Sequence, residues 1–234
     1  LYLQESGLTG ARGRQKLLMG AFGHGAALTG DLAYPGGSGL RDTFEEELRW
    51  FDYWLKDDET NIVDEPPLKL FIMGANEWRE EHEWPLARTK WQKWYLHSNG
   101  AANGLLGDGR LSSNSAQNES VDTFTYNPEF PVQTVGGNNC CSPEVVPWGP
   151  YDQRGVEMRP DVLVYSSDPL EQDMTVIGPI KVVLHAATDG VDTDWTAKLV
   201  DVSPSGYAMN LCDGITRARY RESFQHPELL TADE

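Results

Sequence analysis

Asp64-Glu65-Pro66-Pro67-Leu68-Lys69-Leu70-Phe71-Ile72-Met73 is where the chain changes character. Two consecutive prolines forbid a continuing helix and favour extended backbone. Before them, Phe44, Leu48, Phe51 and Leu55 recur at helical spacing and form one apolar stripe. Asp42 or Thr43 is placed to cap that helix. Thr43 and Glu46 have the capping-box spacing, and Glu45, Glu46 and Glu47 suit the positive end of its dipole. Asp57-Asp58-Glu59-Thr60-Asn61 ends the periodic pattern. After the prolines the apolar period falls to that of strands. The pattern predicts strands over residues 68–73, 90–96, 123–126, 162–166, 180–187 and 195–202. A last hairpin joins 200–202 to 207–211 through Pro204-Ser205-Gly206. Short strands punctuated by Gly, Pro, Asn and Asp predict an all-β sandwich or jelly roll. Residues 99–118 read as a polar loop within it.

Further upstream, Gln15-Lys16-Leu17-Leu18-Met19-Gly20 reads as a short strand. It runs into Ala21-Phe22-Gly23-His24-Gly25, a small-residue loop carrying one histidine, and then into a Gly/Pro-rich stretch over residues 34–39. The organisation predicted is the tail of an α/β unit over residues 1–63, followed by a β domain over 64–234. Leu1 follows no basic-then-apolar leader, and Thr231-Ala232-Asp233-Glu234 carries no cap or turn signal. Both ends are read as those of a processed or truncated chain.

Composition narrows the function. The 234 residues include 36 acidic and 19 basic side chains, for a formal net charge of −17. Such a surface repels phosphate backbones, so nucleic acid is not expected as a partner. Apolar content of 39% is that of a globular chain, and no apolar run reaches the roughly 18–20 residues of a membrane span. A soluble protein is expected, with the cytoplasm the favoured compartment. Cys140 and Cys141 are adjacent, a pairing outside ordinary disulfide geometry, and Cys212 could pair with only one of them. The reading preferred is unpaired thiols in a reducing compartment.

Of the histidines, His24 alone follows a probable strand in a glycine-rich loop. His82 lies in a charged, surface-like run, His97 and His185 near strand ends, and His226 before a proline. A histidine base needs a nucleophile and an orienting acid. No Gly-x-Ser-x-Gly elbow occurs in the chain, and Gly36-Gly37-Ser38-Gly39-Leu40 fails at its final position. Upstream of His24 stand only Ser6 and Glu5, so a triad histidine here has its partners encoded before Leu1. Asp192 and Asp194 read as a turn before a strand in preference to a cation site, and neither a metal nor a cofactor is expected. Trp50 and Trp54 at helical spacing, with Trp91 and Trp94, read as core or interdomain packing. Arg217, Arg219 and Arg221 alternate, which puts them on one strand face with carboxylates as partners.

The segments Asp192–Val202, Asn210-Leu211-Cys212-Asp213-Gly214-Ile215 and Arg217-Ala218-Arg219-Tyr220-Arg221 together resemble the CocE/NonD serine hydrolases. So do residues 48–56, Met73-Gly74-Ala75-Asn76-Glu77-Trp78-Arg79 and Glu83-Trp84-Pro85-Leu86-Ala87. That family includes cocaine esterase, X-Pro dipeptidyl-peptidases and α-amino-acid ester hydrolases. The resemblance implies the C-terminal segment of an α/β-hydrolase followed by an all-β jelly-roll (galactose-binding-like) domain, truncated at both ends. It also implies a serine hydrolase acting on a small ester, amide or X-Pro peptide through an acyl-enzyme. Residues 18–24 match the family's histidine loop, with Ala21 and Phe22 where the family has Pro-Trp, so the resemblance makes His24 the triad histidine. The nucleophile and triad acid then lie outside the chain, which alone is expected to be inactive. The alternative is a non-enzymatic jelly-roll module that binds carbohydrate or protein.

Overall fold

A computed structural model of the chain describes residues 7–22, 30–34, 43–116, 120–139, 142 and 144–232. Strand β1 (Leu17–Met19) and helix α1 (Phe44–Lys56) precede the prolines. They are followed by β2 (Leu68–Ile72), β3 (Glu77–Glu81), β4 (Tyr95–His97), β5 (Arg110–Ser112), the short helix α2 (Arg154–Glu157), β6 (Asp194–Val202) and β7 (Ala208–Arg217). Among the described residues the strands form a three-stranded sheet β1-β2-β3 and two two-stranded sheets, β4-β5 and β6-β7.

β1 and β2 are parallel, with Leu17 opposite Leu68 and Met19 opposite Leu70. Parallel neighbours need a crossover, and α1 lies within it, so β1-α1-β2 is a βαβ unit. Pro66 and Pro67 therefore turn the chain back into the sheet that β1 began, and one sheet draws strands from both sides of them. A line of alternating charges ties the unit together. Lys16 donates to Glu65 at 2.7 Å, Arg49 bridges Glu65 and Glu46, and Lys69 closes on the other Glu46 oxygen. Partial burial pushes the Glu65 carboxyl up, yet Arg49 and Lys16 overcome it and hold the group below the ordinary carboxylate range.

Thr43 occupies the N-cap of α1 without a side-chain capping bond; Glu46, its expected capping-box partner, is engaged by Arg49 and Lys69. Asp42, the other expected cap, lies outside the described residues. The apolar stripe of α1 is not covered by the described residues. Phe44, Leu48, Phe51 and Leu55 are 65%, 59%, 55% and 77% exposed, whereas Leu68 and Leu70 on β2 are buried.

β2 and β3 form a hairpin closed by Asn76 donating its N–H to the Ile72 carbonyl at 2.7 Å. Phe71 faces Trp78 across it, with ring centroids 5.4 Å apart, edge to face. The run around His82 thus begins as a strand in the sheet. Its last residue, Glu81, is buried and held by a bidentate pair with Arg88. The strand predicted over 90–96 is confined to β4, and Trp91 in the preceding coil is exposed. Residues 123–126 and 180–187 form no strand. Ile180, Val182, Val183 and Leu184 are exposed, with no neighbouring strand among the described residues to complete a ladder. Residues 162–166 contribute isolated bridges only, Leu163 to Asn103 and Ser166 to Arg110.

The predicted final hairpin is present and longer than expected. β6 and β7 pair from Asp194–Arg217 to Val202–Ala208, with a bulge between Leu199 and Val200. Arg217 lies on β7 and forks onto Asp194 at 2.7 and 2.9 Å. Arg219 is on the following one-turn helix, Ala218–Tyr220, so the three arginines do not share a strand face. Their partners are carboxylates, Asp192 for Arg219 and Glu228 for Arg221.

Beneath this hairpin sits Gln153, whose side chain is fully buried. Its Nε2 donates to the carbonyls of Val135 and Tyr151 and to Asn210 Oδ1 at 2.9, 3.0 and 3.1 Å. Its Oε1 accepts from Lys198 Nζ at 3.0 Å. Asn210 Oδ1 also accepts the Tyr151 N–H at 2.7 Å. A second, half-buried knot centres on Asp122, which accepts from the Ser98 hydroxyl, the Tyr165 hydroxyl and the Ala102 N–H.

Candidate functional site

His24 lies outside the described residues, as do Glu5 and Ser6. The structure does define both ends of the segment that carries it. The chain enters that segment through β1, which leads toward His24 from its carboxyl end. In open parallel α/β sheets, sites form beyond the carboxyl ends of the strands. β1 is fixed by its ladder to β2 and by the Leu17 N–H donating to the Pro67 carbonyl at 2.8 Å.

The exit is fixed by contacts with the far end of the sequence. Gly30 has φ +64°, and a Cβ there would fall 2.2 Å from the Pro150 carbonyl oxygen. Only glycine meets both conditions. The next residue, Asp31, donates its N–H to that same carbonyl at 2.9 Å. Its carboxylate oxygen Oδ2 accepts the Tyr207 hydroxyl at 2.8 Å. Burial, reinforced by the Asp31 carboxylate, pushes the Tyr207 hydroxyl up to about 12, so it remains a donor through neutral and moderately alkaline pH. Three residues on, Tyr34 lies edge to face on Phe71 with ring centroids 6.0 Å apart, and its hydroxyl donates to Met73 Sδ at 3.1 Å. The chain leaving the histidine segment is thus tied first to the β6–β7 side and then to the β2–β3 hairpin.

Some of the remaining candidates have partners elsewhere. His97 Nε2 lies 3.0 Å from the Asn114 carbonyl. His82, His185 and His226 are exposed. Asp192 and Asp194 spend their carboxylates on Arg219 and Arg217, and no group of three or more His, Cys, Asp or Glu able to hold a metal occurs among the described residues. Cys212 is a free thiol whose pKa burial raises. Cys140 and Cys141 lie outside the described residues. Trp50 and Trp54 meet on α1 with centroids 5.7 Å apart and rings tilted at 58°, and the Arg14 guanidinium lies over Trp54. Among the described residues, no helix is long and apolar enough to cross a membrane.

Sequence reasoning missed Gly30, Asp31, Pro150 and Tyr207. Gly30 is their only local trace, because Asp31 and Tyr207 are 176 positions apart.

Comparison with known proteins bears on this arrangement. Residues 60–234 match the family described as the X-Pro dipeptidyl-peptidase C-terminal non-catalytic domain. Cocaine esterase from Rhodococcus sp. (strain MB1 Bresler) is 43% identical over 189 residues, which is 79% of this chain and 32% of that protein. A protein of Mycobacterium bovis named as a serine esterase is 28% identical over 185 residues, 78% of this chain and 27% of its own. The chain thus spans about a third or less of the curated relatives it matches. Among solved structures, an aminopeptidase from a marine sediment Thaumarchaeota archaeon superposes with a TM-score of 0.69 at 25% identity, covering 94% of this chain and 37% of its own. The matched β-rich region and these esterase relatives agree in one conclusion: the chain belongs to the X-Pro dipeptidyl-peptidase C-terminal domain family, and with it to the CocE/NonD serine hydrolases.

Proposed function

We propose that this chain is part of a serine hydrolase, to which it supplies the triad histidine, His24, and the β domain that follows. Residues 1–63 are the end of an α/β-hydrolase domain. Residues 64–234 are an incomplete jelly-roll domain whose first hairpin completes the sheet begun by β1. The observation that carries the reading is the βαβ unit, in which a parallel strand delivers the histidine segment from its carboxyl end. The uncovered faces support it. A parallel pair is normally covered on both sides, yet Leu17 and Met19 on β1 are exposed together with the stripe of α1. More of the hydrolase domain, preceding Leu1, would cover both and contribute the nucleophilic serine, the triad acid and the oxyanion hole.

In this role the His24 imidazole takes the serine proton as the hydroxyl oxygen attacks the carbonyl carbon of an ester or amide. It returns that proton to the departing alcohol or amine, leaving the acyl-enzyme. It then deprotonates the water that attacks the acyl carbonyl, and the serine recovers its proton as the acid departs. Small esters, amides and X-Pro peptides are the substrate classes. The isolated chain has no hydrolytic activity. Fluorophosphonate labelling of extract from the native source tests the assignment. Peptides of this chain should map to a labelled protein much larger than 26.1 kDa. Their recovery only from an unlabelled species of this size would refute it and turn attention to a non-enzymatic module binding carbohydrate or protein.

A further inference from the structure

The two bonds that hold Asp31 end on one rigid element. Tyr207 immediately precedes β7, and the Pro150 carbonyl belongs to a segment fixed to β7 by several bonds. The Tyr151 N–H donates to Asn210 Oδ1 at 2.7 Å, and the Gln153 N–H donates to the Ala208 carbonyl at 2.7 Å. Asp152 accepts the Ala208 N–H and is clamped by the Arg154 guanidinium, with Nε at 2.8 and 3.0 Å from its two oxygens. Gly30 and Asp31 therefore dock on a surface whose own geometry is set by several hydrogen bonds, from the exposed Asp152–Arg154 clamp to the half-buried bond between Tyr151 and Asn210. Asp31 follows His24 by seven positions, and Met19, the last residue of β1, precedes it by five.

We propose that Tyr207 is a positioning residue for the histidine segment. Its hydroxyl, with the Pro150 carbonyl, clasps Gly30–Asp31 and fixes the residues that follow the histidine segment, as the β1–β2 ladder fixes Leu17–Met19 before it. The proposal rests on the assignment of His24 as the general base. Its physical basis is preorganisation: a segment anchored at both ends samples fewer arrangements, and a base displaced by a fraction of an ångström loses rate steeply. It also gives the family's "non-catalytic" domain a part in catalysis without contact with substrate.

The test uses the full-length enzyme with p-nitrophenyl acetate as the probe. Tyr207→Phe keeps the ring and removes the donor, Asp31→Ala removes the acceptor, and Asp31→Asn leaves a carbonyl to accept the bond. Tyr207→Phe and Asp31→Ala should each lower kcat about tenfold or more, with KM changed less than about twofold. The double variant should be no worse than either single one, and Asp31→Asn should restore wild-type kcat. The acidic limb of the kcat/KM profile, which reports the base, should move in Tyr207→Phe. A lowered thermal midpoint with unchanged kcat and pH profile would overturn the proposal and leave the clasp merely structural. His24→Ala measured alongside separates the two claims. If it is inactive while Tyr207→Phe matches wild type, only the clasp falls; if it stays active, the base assignment falls and the clasp with it.

Discussion

Gln153→Leu is the sharpest perturbation of the β domain. It preserves volume and removes a side chain that is 1% exposed and makes four hydrogen bonds. Asn210 Oδ1 retains the Tyr151 N–H, and the Tyr151 carbonyl retains a long bond of 3.4 Å from the Asn210 N–H, so neither is orphaned. The Val135 carbonyl loses the Nε2 donor and Lys198 loses Oε1. Lys198 already has its pKa lowered by burial, and without Oε1 it should fall further. An orphaned carbonyl costs about 1–3 kcal/mol and a lost charge-assisted bond about 1.5–3 kcal/mol, so about 2.5–6 kcal/mol is expected together. For a chain of this size that lowers the thermal midpoint by about 5–24 °C. Circular dichroism melts and urea titrations of the two proteins measure it. Adding Lys198→Met to Gln153→Leu should then recover part of the loss, because no ammonium remains that needs a partner. A cost below about 1 kcal/mol, or no recovery in the double variant, would refute the view that Gln153 organises this domain.

Acid should unfold the chain through its arginine-paired carboxylates. Arg154 holds Asp152 down from 3.8 to about 2, and Arg217, Arg159 and Arg88 hold Asp194, Asp161 and Glu81 below the ordinary range. The unfolded chain takes up these protons first, so stability is full above the ordinary carboxylate values and is lost as pH falls toward about 2. Arg88→Met should move the acid midpoint upward, since buried Glu81 then titrates higher; an unmoved midpoint would count against the pairing. Leu48→Ala should cost about 2–5 kcal/mol in the complete protein and less than about 0.5 kcal/mol in this chain, where the residue is 59% exposed. Equal costs in the two would refute the proposal that the α1 stripe is covered by the rest of the hydrolase.

What the sequence discloses follows from which forces leave a local trace. The α1 stripe and the alternation of β2 and β6 are periodic and so legible, as is the turn ending in Gly206, whose φ is +83°. β3 is not, because Glu77-Trp78-Arg79-Glu80-Glu81 carries charge at its inward position too, tolerated only because Arg88 meets Glu81. Residues 180–187 read as a strand yet form none, since β-branched composition records a preference for a sheet but cannot supply the neighbour that completes one. Residues 123–126 make side-chain-to-backbone contacts instead, with Asn103 Nδ2 donating to the Thr123 carbonyl at 2.9 Å. The histidine segment is marked by its strand and glycines. The clasp beyond it depends on a tyrosine at the far end of the chain, and its only local trace is the glycine at position 30.

The central claim is that His24 is the general base of a serine hydrolase. His24→Ala in the full-length protein tests it most directly, with ester hydrolysis followed beside far-UV circular dichroism and the thermal midpoint. Turnover should fall at least about a thousandfold while the fold and midpoint stay those of the wild type. A folded variant that retains activity within about tenfold of wild type would contradict it.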